Sequence, residues 1–107
     1  MKRLLFLCSR NQLRSPTAEE VFADHPGVEV DSAGTASDAE IPVTSEHLEW
    51  ADQIVVMESV HRKRLNERFK SSLKGKRITV LGIPDQYEFM DERLVEILKR
   101  KASIFLP

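Results

Sequence analysis

Apolar and polar residues alternate in blocks along the chain, and the blocks have the lengths of strands and helices. Four short apolar runs bounded by turn residues predict strands at 2–8, 28–30, 53–57 and 77–81. Apolar residues at helical spacing predict helices at about 16–23, from Thr44 through Trp50, from Ser59 to about 69, and from Asp91 to about 105. Because strands alternate with helices throughout, we expect an α/β fold: a four-stranded parallel sheet with helices on both faces, in three layers.

The same pattern predicts how each helix begins and which face it buries. Helix starts are expected with Ser15, Ser59 and Asp91 as caps, and with Thr44 and Glu46 forming a capping pair. The buried faces are expected to carry Ala18, Val21, Phe22, Val60, Leu65, Phe69, Leu94, Val95, Ile97, Leu98 and Ile104.

Polar loops follow the predicted strands, and a parallel sheet gathers such loops at one edge. The stretches 31–35, 36–43 and 82–87 show no regular periodicity and are predicted as loops. Ligands of open parallel sheets bind beyond the carboxyl ends of the strands. We therefore expect Cys8, Ser32, Glu58 and Asp85 to lie on one rim.

Length and composition indicate one domain over residues 1–107, with no linker or internal repeat. A hydrophobic content of 41% and a net charge of −1 are typical of a soluble globular protein. No apolar run is long enough to cross a membrane. A single cysteine excludes an internal disulfide and fits a reducing compartment, so we expect a cytoplasmic protein with no membrane partner.

Charge is distributed unevenly. Residues 1–58 hold 11 Asp and Glu against 4 Lys and Arg, whereas residues 61–77 hold 8 Lys and Arg against Glu67 alone. The basic segment would suit an acidic partner or nucleic acid, but a solvated helix and loop is the simpler interpretation. No aromatic residues are interleaved for base stacking, which argues against nucleic acid. We expect a monomer or weak dimer.

The candidate chemistry lies at the end of the first strand. Cys8 is followed by Ser9, Arg10, Asn11, Gln12 and Leu13, then by Arg14, Ser15 and Pro16. A loop entering a helix N-terminus offers free N–H groups to an anion, and Arg14 can bind two phosphate oxygens with its planar fork. A thiol in that field is expected to ionise near neutral pH and to act as a nucleophile. The alternative is a structural cysteine, buried as a small apolar residue.

Four segments, in this order, resemble the low-molecular-weight protein tyrosine phosphatase family. They are the run from Cys8 through Arg14 to Glu19, the turn 31–35 with its Ser-Ala-Gly-Thr sequence, the stretch from Thr44 to Glu58, and Asp85-Gln86-Tyr87. Together they span nearly the whole chain. The first two motifs are the most specific ones.

The resemblance implies a role for each residue of the loop. Cys8 would attack phosphorus, while Arg14 and the N–H groups of Ser9, Arg10, Asn11, Gln12, Leu13 and Arg14 would hold the phosphoryl oxygens. Ser15 would donate a hydrogen bond to the Cys8 thiolate. Asn11 and Ser32 would brace the loop, and Asn11 suits a left-handed backbone position.

The resemblance also implies that Asp85 protonates the leaving oxygen and then activates water. A turn residue after Pro84 is the alternative for Asp85. Asp91 is the rival acid, although we expect it to cap the last helix. Tyr87 would stack on an aryl phosphate, with packing against the last helix as its alternative.

The sequence also departs from the family. Arg10 stands where a glycine is usual, and Leu13 where a second cysteine is often found. Arg10 would favour acidic substrates or simply face solvent, and no protective disulfide can form within the loop. The chain is also shorter than usual between Thr35 and Thr44 and before the last strand, which brings its selectivity for phosphotyrosine into question.

These observations predict a phosphomonoesterase of the tyrosine phosphatase type that needs no metal or other cofactor. Its substrates would be phosphotyrosyl proteins or small aryl phosphates, with phosphate, sulfate and vanadate as further ligands. A non-catalytic phosphate-binding module and a cysteine phosphocarrier are the alternatives. Thiol-coupled arsenate reduction fits less well, because it needs further cysteines.

Overall fold

The computed structural model describes the whole chain, Met1–Pro107, as one parallel sheet flanked by helices. The strands are β1 Lys2–Cys8, β2 Val28–Gly34, β3 Gln53–Val56 and β4 Arg77–Val80. The helices are α1 Arg14–Phe22, α2 Ser45–Trp50, α3 Ser59–Arg68 and α4 Glu92–Ala102, with 3₁₀ turns at Lys70–Leu73 and Ser103–Phe105. All four strands are parallel, in the order β2-β1-β3-β4, which confirms the predicted sheet.

The central strand β1 separates two apolar cores. Leu4 and Phe6 point to one face, where they pack with buried residues of α1 and α4. Leu5 and Leu7 point to the other face, towards α2 and α3. Side chains of a strand alternate between faces, so an uninterrupted apolar strand requires cover on both sides. The structure has the predicted three layers. No helix combines the length and the apolar character needed to cross a membrane.

The strand order positions the functional loop. β1 lies between β2 and β3, so the chain leaves β1 to one side and later returns to the other. The loop after Cys8 starts where the order reverses, which is where open α/β sheets bind ligands. Cys8 is paired with Gly34 and Leu7 with Val56, so the ends of β2 and β3 flank this loop.

The second strand is longer than predicted. Residues 31–34 were expected to form a loop, but β2 continues through Gly34 because every residue pairs with β1, up to Cys8. Residues 31–34 are polar or small, so no alternation of apolar residues predicts a strand there.

Two helices begin one or two residues earlier than predicted. The first residue of α1 is Arg14, Leu13 occupies its N-cap position, and no side chain caps it, so Ser15 is not a cap. In α3 the N-cap is Glu58 rather than Ser59, and its backbone N–H donates to the ring of His61, the third helical residue, at 3.0 Å.

Two other helix starts come closer to the prediction. Thr44 does cap α2, but its capping partner is His47, whose ring accepts from the Thr44 backbone, and not Glu46. Asp91 caps α4 as predicted, since its carboxylate accepts from the backbone N–H of Arg93.

Two predicted buried positions are wrong. Val60 is 41% exposed, and the next residue, His61, is fully buried in its place. Ile104 is 82% exposed because α4 ends at Ala102 and a 3₁₀ turn follows, which turns Phe105 inward instead. Both errors are shifts of one position in helical phase.

Candidate active site

A small pocket of about 90 Å³ opens at the carboxyl end of β1. Its lining residues are Cys8, Ser9, Arg10, Gln12, Leu13, Arg14 and Asp85. The structure therefore brings together the thiol, the arginine and the acid that the sequence analysis selected, although Asp85 is far from the other two in the chain. A pocket of this size suits a small anion.

The loop that forms the pocket uses its carbonyl groups and leaves its N–H groups free. Backbone N–H groups of residues 35, 36 and 40 donate to the carbonyls of Cys8, Ser9 and Arg10 at 2.9, 2.9 and 3.1 Å. No backbone N–H of residues 9–13 donates to an acceptor within the protein. Such a run of free N–H groups leading into a helix N-terminus forms an anion-binding cradle.

The turn of the loop depends on Asn11. Its backbone has a φ of 56°, a left-handed conformation that asparagine adopts more readily than most residues. Its side-chain Oδ1 accepts a hydrogen bond of 2.9 Å from the Ser15 hydroxyl. Asn11 does not line the pocket, so it shapes the loop from behind.

The loop packs directly against the end of β2 at Gly34. A Cβ atom on Gly34 would lie 2.7 Å from the carbonyl oxygen of Ser9 and 2.4 Å from the Cβ atom of Ala39. Only glycine permits this approach without displacing backbone atoms.

Ser32, by contrast, makes no hydrogen bond to the loop. Its hydroxyl donates to Glu19 at 2.5 Å, so it ties β2 to α1, and the expectation that Ser32 braces the loop directly is wrong.

Ser15 lies between Cys8 and Asn11. Its hydroxyl oxygen is 3.0 Å from Cys8 Sγ and 2.9 Å from Asn11 Oδ1. A single hydroxyl hydrogen cannot serve both acceptors at once. When Cys8 is a thiol, its S–H donates to Ser15, which donates to Asn11. When Cys8 is ionised, the Ser15 hydrogen must turn to the sulfur, and the Asn11 amide must then present its NH₂ group.

Arg14 is held rigidly beneath the pocket. Its side chain is 3% exposed, and Nη1 donates to Glu58 Oε1 at 2.5 Å and to the Ile83 carbonyl at 2.8 Å. Asp85 Oδ1 lies 3.7 Å from Nε on the opposite edge of the guanidinium. The edge formed by Nε and Nη2 makes no close hydrogen bond within the protein, and it has the geometry to bind two oxygens of one phosphate. Sequence reasoning placed Glu58 on this rim but missed its ion pair with Arg14.

The two candidate acids differ in their surroundings. Asp85 lines the pocket, and its side chain is 62% exposed. Asp91 caps α4, and hydrogen bonds from Arg93 keep the pKa of its carboxyl below the usual range. A carboxyl that is held ionised and used as a cap is a poor proton donor, which favours Asp85.

Tyr87 takes the packed position that the sequence analysis gave as its alternative, whereas Arg10 lies at the pocket. Tyr87 is half-buried against the core under α4, with the Arg93 guanidinium 5.6 Å from its ring centre, and it does not line the pocket. Arg10 does line the pocket, and it forms an exposed ion pair of 3.0 Å with Asp38.

His61 is the site residue that sequence reasoning missed. It is fully buried, its Nδ1 accepts from the backbone N–H of Glu58 at 3.0 Å, and its Nε2 lies 3.0 Å from Ser9 Oγ. Burial, reinforced by the positive charge of Arg14, lowers the pKa of His61 to about 4. The available signal was a histidine three residues after an acidic N-cap. No group of three His, Cys, Asp or Glu side chains is arranged to hold a metal ion.

The neutral state of His61 predicts a specific loss of stability in acid. The unfolded chain protonates this histidine near pH 6.5, whereas the folded protein does so only near pH 4, among Arg14, Glu58, Arg64 and Asp85. Stability from this group is therefore complete above pH 6.5 and is lost progressively as pH falls towards 4. His61→Gln should flatten the fall in unfolding free energy over this range, measured by urea denaturation.

The matched control is His25→Gln, at a partly exposed histidine after α1, which should keep the wild-type pH dependence. An unchanged slope in His61→Gln would show that His61 does not carry this linkage.

Comparisons with known proteins agree with this geometry. No family model matches the sequence. A curated relative, the protein-arginine-phosphatase of Geobacillus stearothermophilus, is 31% identical over 102 residues, covering 73% of this chain and 68% of the relative.

Solved structures share the fold at lower identity. The low-molecular-weight protein tyrosine phosphatase SP-PTP of Streptococcus pyogenes superposes with a TM-score of 0.80 at 19% identity, covering 98% of this chain and 91% of the other. Wzb of Vibrio vulnificus, solved with benzylphosphonate, gives 0.78 at 22% identity, with coverages of 97% and 96%. With the relative from Geobacillus and the Cys8 loop, these similarities show that the chain belongs to the low-molecular-weight protein tyrosine phosphatase family of cysteine-based phosphatases.

Proposed function

We propose that residues 1–107 form a single catalytic domain that hydrolyses phosphomonoesters through a cysteinyl-phosphate intermediate. One observation carries the proposal: the Cys8 thiol lies at the base of a loop whose N–H groups have no protein partner, next to a buried arginine. Backbone donors and a guanidinium around a nucleophile are what a transferring phosphoryl group requires. No cofactor enters the reaction.

In the first step, Cys8 Sγ attacks phosphorus. The S–P bond forms as the bond from phosphorus to the leaving oxygen breaks, and the electron pair of that bond stays on the oxygen. Asp85 donates a proton to this oxygen, and its exposed position at the pocket supports the role. Arg14 and the N–H groups of residues 9–14 stabilise the phosphoryl oxygens throughout.

In the second step, water attacks the cysteinyl phosphate. Asp85, now a carboxylate, takes a proton from the water. The water oxygen bonds to phosphorus as the S–P bond breaks. Inorganic phosphate leaves and Cys8 returns as a thiolate, to which the Ser15 hydroxyl 3.0 Å away can donate. The chemistry needs Cys8 reduced, which suits the cytoplasm.

The position of Asp85 favours hydrolysis over the alternatives. A phosphate-binding module needs neither a thiolate nor an acid at the pocket. A phosphocarrier keeps its phosphoryl group, so a group able to activate water beside it would be a disadvantage. Cys8 is the only cysteine, so thiol-coupled arsenate reduction lacks the partners it needs.

The substrate is proposed to be a phosphorylated protein side chain, with phosphotyrosine or a small aryl phosphate as the first candidate. Phosphoarginine is the second candidate, because the curated relative is a protein-arginine-phosphatase. The pocket lining contains no aromatic ring to hold a phenol, and the exposed Asp85 carboxyl would lie beside the leaving group of a bound substrate. For phosphoarginine, the S–P bond would form as the P–N bond breaks, and the Asp85 carboxyl would donate its proton to the leaving nitrogen.

The acid role of Asp85 predicts a dependence on the leaving group. Asp85→Asn should lower kcat/KM, which reports the step that forms the S–P bond, for phenyl phosphate by on the order of 10²–10⁴, because a poor leaving group needs the proton. The loss for p-nitrophenyl phosphate should be much smaller. Glu88→Gln, at an exposed carboxylate of the same loop, should match the wild type, and Cys8→Ser should hydrolyse neither ester. Equal losses for both esters would remove Asp85 as the acid.

The shape of the pocket predicts weak selectivity between substrates. Two peptides that differ only in carrying phosphotyrosine or phosphoarginine should both be hydrolysed, with kcat/KM values within about tenfold. Stacking on an aromatic ring, which this pocket lacks, would itself contribute only roughly 0.5–1.5 kcal/mol. Phosphate release from each peptide measures the ratio, and a preference above a hundredfold for either would contradict a non-selective pocket.

A further inference from the structure

Ser9 joins the phosphate-binding loop to a polar network behind it. Its Oγ lies 3.0 Å from Nε2 of the buried His61 and 3.3 Å from Nη1 of Arg64. Ser9 also lines the pocket directly after the nucleophile Cys8. In the proposed mechanism the backbone N–H of Ser9 binds a phosphoryl oxygen, whereas the Ser9 hydroxyl has no role.

The direction of each hydrogen bond follows from the chemistry of the partners. His61 Nδ1 accepts from the backbone N–H of Glu58 and therefore carries no proton. A neutral imidazole then has its hydrogen on Nε2, and that N–H donates to Ser9 Oγ. A guanidinium can only donate, so Arg64 is the second donor.

These two bonds occupy both lone pairs of the Ser9 oxygen. The Ser9 hydrogen is consumed by neither of them, and no other acceptor lies within hydrogen-bond distance of Oγ. The Ser9 O–H must therefore find its acceptor outside the protein, and the pocket that Ser9 lines is where such an acceptor would bind. Because both acceptor positions of the Ser9 oxygen are occupied, the hydroxyl can act only as a hydrogen-bond donor towards a ligand.

The network is anchored so that this arrangement is kept. Arg64 Nη1 also donates to Thr35 Oγ1 at 3.3 Å, and Arg68 donates to the Thr35 carbonyl at 2.9 Å. Thr35 in turn donates its backbone N–H to the Cys8 carbonyl. The residues that orient Ser9 are therefore fixed to the strand end that carries the nucleophile.

We propose that the Ser9 hydroxyl is a further phosphate ligand, donating to an oxygen of the phosphoryl group bound over Cys8, and that His61 and Arg64 are positioning residues that hold it as a donor. The inference rests on the proposed function, since it requires the loop to bind a phosphoryl group. It assigns to His61 a role that a merely space-filling histidine would not have.

The test measures the affinity for inorganic phosphate by titration calorimetry, in a double-mutant cycle of Ser9→Ala and His61→Phe. Each change should weaken phosphate binding by about tenfold, because a hydrogen bond to a charged group is lost or misdirected. The double variant should bind no more weakly than Ser9→Ala alone. Ser9→Thr, which keeps the hydroxyl, should restore most of the affinity. Arg62→Ala, at an exposed neighbour on α3, is the matched control and should bind like the wild type.

Several outcomes would overturn the proposal, and they are distinguishable. If the wild type binds and hydrolyses but Ser9→Ala has unchanged phosphate affinity, the inference fails while the proposed function stands. If the loss of phosphate affinity in the double variant equals the product of the two single losses, His61 has a structural role only. If the wild type binds no phosphate, both fail.

A second measurement remains decisive if His61→Phe does not fold. Nitrogen-15 NMR of the wild-type imidazole reports directly which ring nitrogen carries the hydrogen. Protonated Nε2 and bare Nδ1 are expected, and the reverse would overturn the proposal.

Discussion

The buried charge of Arg14 is the constraint on which the rest of the site depends. A guanidinium that is 3% exposed must be neutralised and hydrogen-bonded, and Glu58 and the Ile83 carbonyl do both. These partners come from the end of β3 and from the loop after β4, whereas Arg14 itself begins α1. One side chain thus fixes three segments at the same edge of the sheet. Removing Glu58 would leave the buried charge with the exposed Asp85 carboxyl, 3.7 Å away, as its remaining acidic partner, and would destabilise the fold.

The same constraint prepares the site for an anion. Because Glu58 and Ile83 occupy Nη1, the opposite edge of the guanidinium keeps a fixed direction without a strong partner of its own. Asp85 approaches that edge only to 3.7 Å. A phosphate bound there would take its place and leave the carboxyl free to meet the leaving group. The free N–H groups of residues 9–13 complete the cradle with fixed dipoles that need no reorganisation.

Much of this arrangement follows from the sequence, because the features concerned are local. Preferences of a few adjacent residues determine the apolar run of β1, the loop after it with its free N–H groups, and the turn at Asn11. The meeting of Asp85 with Cys8 follows from topology, since ends of parallel strands share one edge. The Ser-Ala-Gly-Thr motif was recognised in the sequence, but β2 was predicted too short and the close approach at Gly34 was not predicted.

What the sequence could not show depends on phase and on distant contacts. Shifting the start of α3 by one residue, from Ser59 to Glu58 as its cap, exchanges the exposed Val60 for the buried His61. The ion pair of Arg14 with Glu58 and the contact of His61 with Ser9 join residues far apart in the chain.

The central claim is that Cys8 carries the phosphoryl group, and trapping the intermediate tests it most directly. Because Asp85 activates water in the proposed second step, Asp85→Asn should slow hydrolysis of the cysteinyl phosphate. Acid quenching during turnover of p-nitrophenyl phosphate should then capture this intermediate. Mass spectrometry of the quenched protein should find one phosphoryl group, located on Cys8. The group should be absent when the substrate is removed and the intermediate is left to hydrolyse before the quench. Turnover that proceeds with Cys8 unmodified, or with the phosphoryl group on another residue, would contradict the account.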